Sequence, residues 1–168
     1  MSRHQPVIAV LLLTALAHAG CHRAAGRDTM AGTVTLVNRV SGDVRCAKSP
    51  SCEATLKSAL RQRLGSVEIS FRPDRPAVDL EFEETASPFS SASFRQAVME
   101  GGGEVLKIGI EACGRVDTVE GQSWMTTGST RLLLDGPGPF SNATDMCVSG
   151  ELRDQASPPR LLPGKLSS

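Results

Sequence analysis

Cys46 and Cys52 stand six positions apart in the stretch GDVRCAKSPSCEATLKSAL, residues 42–60, with the second cysteine at the threshold of an amphipathic segment. Two sulfurs so placed make a structural disulfide, a metal clamp or a redox pair. Each outcome pins a turn of backbone against the start of a helix. Compartment decides among them, because thiols outside the cytoplasm oxidise unless a metal or a reductase occupies them.

The first residues speak to compartment. Arg3 and His4 precede an apolar run from Val7 to Ala17, and the small residues Ala19 and Gly20 lead into Cys21. A spanning helix needs roughly 20 apolar residues, so the run has the layout of an export signal rather than a membrane span. Ala17-His18-Ala19 suits ordinary signal peptidase, whereas Ala19-Gly20-Cys21 resembles the lipobox of bacterial lipoproteins. Cysteine arithmetic favours the second, since five cysteines leave one over and lipidation of Cys21 leaves four that can pair. The expected protein is lipid-anchored in the bacterial cell envelope, periplasmic or otherwise extracytoplasmic, or secreted if Cys21 is not lipidated. Residues 1–20 are expected to be the signal, 21–31 a polar tether carrying the lipid, and 164–168 a disordered tail.

Lysine and arginine number 18, as do aspartate and glutamate, with no basic block. That balance argues against nucleic acid as a partner, because phosphate binding needs clustered cations. All three histidines, His4, His18 and His22, precede the presumed folded region, and tyrosine is absent. Histidine-dependent catalysis and histidine metal ligation within the fold are thereby excluded. Serine and aspartate are plentiful, but no base accompanies them, so no enzyme is expected.

From residue 32 the periodicity alternates between two and about 3.6. Val34, Leu36 and Val40 mark a first strand, and Leu56, Ala59, Leu60 and Leu64 form the stripe of a helix stopped by Gly65. Val67, Ile69 and Phe71, then Val78, Leu80 and Phe82, make a hairpin with one wet face. Its acidic row Asp79, Glu81, Glu83 and Glu84 reads as solvated. Phe94, Ala97 and Val98 mark a second helix ended by three glycines, and Leu106, Ile108 and Ile110 a closing strand. The order β, α, β, β, α, β predicts a ferredoxin-like sandwich over 32–111, in an α+β chain.

These residues resemble the heavy-metal-associated domain of copper chaperones and mercury-binding periplasmic proteins. In that family a first-strand loop carries a CxxC pair whose second cysteine begins the helix. Counted from Cys52, Leu56, Ala59-Leu60 and Gly65 fall at the family's offsets, and FRQAVMEGGGEV resembles its second helix and glycine exit. The resemblance covers about half of the chain and implies binding or handling of a soft ion, Cu(I) or a mercury-like metal. Cys46 and Cys52 would be the ligands and Lys48 would offset their charge. The pattern departs from CxxC at the chemistry itself: Ser49 stands in the first ligand's place and Cys46 lies three residues further back.

Two alternatives therefore stay open for Cys46 and Cys52, a soft-metal site and a disulfide. In the first case the partner is a metal ion. In the second the chain is an interaction or scaffold lipoprotein whose partner is another envelope protein. Zinc is disfavoured, since a closed site wants four cysteine or histidine ligands. Cys113 and Cys147 are expected to bridge two strands.

Beyond Cys113 the pattern turns to short strands separated by Gly, Pro, Ser and Asn, and predicts a small β-rich module over 112–163. Gly114, the LDG turn and VSGEL look like small OB-fold modules. Trp124 is expected as a core or interface anchor, and Met125 and Met146 as core filler rather than copper ligands.

Overall fold

The computed structural model describes residues 34–46, 50–84, 86–136, 138, 140 and 142–165. The expected signal, Cys21 with its tether, Lys48 and Ser49 lie outside the described residues.

Apolar alternation builds the first strand, β1 (Val34–Arg45), which sinks Val37, Val40 and Val44 into the core. Helix α1 (Pro50–Leu64) follows and buries Leu56 and Leu60. It stops at Gly65, whose φ of +77° is a conformation that side chains disfavour. β2 (Val67–Phe71) and β3 (Ala77–Phe82) form a hairpin. β4 (Ser87–Ser90) leads directly into α2 (Ser91–Glu100), where the Ser90 hydroxyl accepts from the Ser93 amide at 3.2 Å as N-cap. Helix α2 turns Phe94, Ala97 and Val98 into the same core as α1.

β5 (Glu104–Val119) comes next, followed by β6 (Gln122–Thr127), β7 (Thr130–Leu134), β8 (Thr144–Arg153) and β9 (Arg160–Pro163). The sheet runs β2-β3-β1-β5-β6-β7-β9-β8, with β4 also on β1, and β8 pairs back onto β5. Strands β5, β6, β7, β9 and β8 thus close a five-stranded barrel. Its pairs are antiparallel except β7 with β9, which is parallel. Val116, Met125, Leu132 and Leu161 fill it, continuous with the core under the helices.

The expected ferredoxin-like βαββαβ sandwich followed by a small OB-like β module is not what the chain builds. The described residues are mostly β, two of their eleven elements are helices, and their nine strands belong to one sheet that closes on itself. Two local features overturn the expectation. Four residues ahead of α2 form β4, an additional strand paired with Val34–Val37 of β1. β5 is sixteen residues long and spends its first half on β1 and its second on β6, with β8 along the opposite edge from Gly109 to Val116. One strand therefore belongs to both halves.

Closure requires backbones to approach closely. A Cβ on Gly114 of β5 would run into the Thr126 carbonyl oxygen of β6, and a Cβ on Gly150 of β8 into that of Leu162 in β9. Glycine is the residue that permits such contacts. Among the described residues no helix is long and apolar enough to cross a membrane.

Candidate functional site

Cys46 follows the last residue of β1, where Arg45 pairs with Glu104 of β5, and Cys52 is the third residue of α1. The strand end and the helix start bring their Cα atoms to 6.5 Å, and the two sulfurs are bonded. The Cys52 sulfur also lies 3.9 Å from the carbonyl oxygen of Gly101, which places the bridge beside the exit of α2. Both cysteines are half-buried. A helix N-terminus would stabilise a thiolate here, but a disulfide sulfur carries no charge to stabilise.

Cys113 and Cys147 face each other directly across the β5–β8 ladder, with Cα atoms 4.0 Å apart, and are also bonded. Cys113 is buried while Cys147 is exposed. Asn38, at a register irregularity of β1, donates from Nδ2 to the Cys147 sulfur at 3.6 Å and to Glu111 Oε1 at 3.4 Å. It accepts the Ala86 amide at 2.8 Å. The bridge and this amide hold β1, β5, β8 and the approach to β4 in one register.

The two bridges do not form one site. Cys113 lies beside the position where Ala112 meets Val37, and Cys46 lies beyond Arg45, so about eight strand residues, roughly 25 Å, separate them. Among the described residues no group of three or more His, Cys, Asp or Glu is placed to hold a metal ion. In the bonded form neither cysteine pair offers a thiolate to a soft ion. Two disulfides suit a chain that folds in an oxidising, extracytoplasmic setting.

Two buried ion pairs escaped the sequence reasoning. Asp79, expected on a solvated row, is buried. Arg72 Nη2 donates to its Oδ1 at 2.8 Å, and Arg72 Nε donates to Oδ2. Burial alone would raise the Asp79 pKa. Hydrogen bonds from Arg72 and Ser41, with the charges of Arg72 and Arg39, outweigh it and hold the carboxyl below its ordinary value. Asp154, at the end of β8, is likewise buried against Arg95 of α2. The first pair had a signal, since Arg72 sits in the turn seven positions before Asp79. The second had none, because 59 residues separate its partners.

Trp124 lies on the outside of the barrel, between Asp117 and Leu133 in the register, while its neighbour Met125 points inward and is fully buried. The Arg131 guanidinium stacks 4.6 Å over the indole. Trp124 is thus half-buried by a cation rather than by core, and Met125 is core.

No family model, curated protein or solved structure matches this chain.

Proposed function

We propose that this chain is a disulfide-stabilised extracytoplasmic interaction or scaffold module, anchored to a bacterial membrane through a lipidated Cys21 and acting by binding an envelope protein rather than by catalysis. The observation that carries this reading is that all four cysteines beyond Cys21 are consumed in two bridges. Each bridge stands at a junction. Cys46–Cys52 joins the end of β1 to α1, and Cys113–Cys147 joins the two strands that shut the barrel. Sulfur so used stiffens a surface for recognition and supplies no ligand or nucleophile.

A second reading, soft-metal handling by Cys46 and Cys52, is favoured by one feature. Cys52 lies in the first turn of α1 and Cys46, just past the end of β1, is bonded to it, so both come within reach of a common ion such as Cu(I) once a dithiol has reduced the bridge. In that case the disulfide is the resting form of the site and the metal is its cargo.

One experiment separates the two. The mature protein, recovered from oxidising export, is assayed for free thiols in denaturant and titrated with Cu(I) against a chelator before and after reduction. The scaffold reading expects no free thiol, and no tight uptake even after reduction. Two free thiols, or tight uptake that vanishes in Cys52→Ser, would establish the metal reading instead. Incorporation of labelled acyl chain that disappears in Cys21→Ala tests the anchor separately.

A further inference from the structure

The sheet face turned away from the helices holds a cavity of about 240 Å³. Its place follows from strand parity. Val40 and Gly42 of β1 face the helices, the latter so closely that a Cβ there would meet the Phe94 ring. Ser41 and Asp43 therefore face away, as do Lys107 and Gly109, which alternate with the buried Ile108 and Ile110 of β5. Across the sheet Ser41 stands opposite Gly109, and Gly109 opposite Glu151 of β8. With no side chain on Gly109 the row is hollow at its centre. Leu162 and Pro163 at the end of β9, with Gly164 and Lys165 after it, complete the lining, held by the Gly164 amide donating to the Ser149 carbonyl at 3.0 Å.

The charges around this hollow are unevenly committed. Lys107 is the direct cross-strand neighbour of Asp43, yet its ammonium turns the other way and meets Glu151 Oε2 at 2.7 Å. The second oxygen of Glu151 takes Arg153 Nε at 2.6 Å. Among the described residues Asp43 and Lys165 have no ion pair and no side-chain hydrogen bond. One carboxylate and one ammonium without a close ion-pair partner thus line the same cavity, the Asp43 charge being felt otherwise only by Arg72 among the neighbouring cations.

The geometry points to a binding site for a small zwitterion, an amino acid or dipeptide, with its ammonium at Asp43 and its carboxylate at Lys165. A simple anion would meet Asp43 and Glu151, and a simple cation would meet Lys107 and Lys165. Only a ligand bearing both charges finds each matched. The volume lies below the roughly 300–1,000 Å³ of pockets for drug-sized ligands, which limits the occupant to a few heavy atoms. Gly109 and Gly150 leave backbone rather than apolar side chain along the cavity, which suits a polar occupant. The inference is independent of whether the cysteines ever bind a metal.

The test is titration of the full mature chain, ¹⁵N-labelled, with glycylglycine and with L-alanine, followed through the amides of Gly109, Gly150 and Gly164. Acetate and methylammonium serve as single-charge arms. The expected result is a saturable shift of these amides with the zwitterions, weaker response to either single-charge probe, and a loss of roughly tenfold in affinity in Asp43→Asn and in Lys165→Gln. Lys165 is exposed, so its variant keeps the fold and isolates the charge. No saturable shift at millimolar zwitterion, acetate binding as tightly as glycylglycine, or unchanged affinity in both variants would each overturn the assignment.

Discussion

The guanidinium of Arg95 on α2 grips the carboxylate of Asp154 at the end of β8 with two hydrogen bonds, Nη2 to Oδ1 at 2.8 Å and Nε to Oδ2 at 3.2 Å. The Asp154 side chain is 2% exposed and that of Arg95 21%. Ser91, in the first turn of the same helix, also hydrogen-bonds the carboxylate. A helix packed on one end of the sheet is thereby tied to the barrel at the other, through a fork that fits a carboxylate in two places at once.

Removing one partner of this pair leaves a buried charge unmatched. Asp154→Ala is expected to destabilise the protein by roughly 3–5 kcal/mol, whereas the double variant Arg95→Met with Asp154→Leu, which removes both charges, should recover most of that loss. Urea midpoints of Asp154→Ala, of Arg95→Met and of the double variant measure it. A double variant as unstable as the worse single one would mean that packing, not charge, dominates the site.

Stability should fall in acid for a reason that can be assigned to named groups. Burial alone would raise the Asp154 pKa, but hydrogen bonds from Arg95 and Ser91 and the Arg95 charge hold it below the ordinary 3.8. Asp79 behaves in the same way with Arg72 and Ser41. Both are depressed in the folded state, so their contribution is present above the unfolded value near pH 4 and is lost as pH falls through the folded values. Unfolding free energy measured from pH 7 down to pH 2 should decline from about pH 4. The decline should be shallower in Asp79→Asn/Asp154→Asn, and equal slopes would reassign the acid sensitivity.

The two disulfides should contribute unequally. Cys113–Cys147 closes a loop with a sequence separation of 34 and Cys46–Cys52 one of 6. Chain-entropy reasoning then gives about 4 kcal/mol for the first and about 2 kcal/mol for the second. Calorimetry of the paired variants Cys113→Ala/Cys147→Ala and Cys46→Ala/Cys52→Ala compares them. The larger loss of Tm is expected in the first, because that bridge also fixes the register of the strands that close the barrel.

Barrel closure depends on two glycines. Gly114→Ala and Gly150→Ala each force a methyl group against a backbone carbonyl that cannot move without opening the ladder. Each is expected to cost on the order of 2–3 kcal/mol. Gly164→Ala, where an added Cβ meets nothing, should be close to neutral and serves as the control. Denaturant melts of the three variants check the ranking.

Much of the local structure was legible in the chain. Burial of one face imposes a period, so Val40, Leu56 and Leu60, Val78 and Leu80, and Phe94, Ala97 and Val98 announced their elements, whereas at the start of β1 Val37 is buried and the expected Val34 is exposed. Gly65 announced the end of α1 by the positive φ it tolerates. The pairing of Cys46 with Cys52 stood open between a metal and a bridge, because six positions of spacing are compatible with both.

Apart from the Cys113–Cys147 bridge, what escaped the sequence were features that depend on residues remote in the chain. Ala112, Cys113 and Gly114 interrupt the alternation and look like the end of a strand, yet β5 continues to Val119 because β8 and β6 supply partners on either side. Ser87–Ser90 looks like the approach to a helix, and it is a strand because β1 has an open edge beside it. Asp79 and Asp154 look like surface charges until Arg72 and Arg95 arrive. Periods of 2 and 3.6 are local consequences of burying one face. Closure of a barrel, burial of a charge and the placing of Asp43 and Lys165 on the lining of one cavity are settled by which strands come to lie side by side, and local pattern carries no record of that.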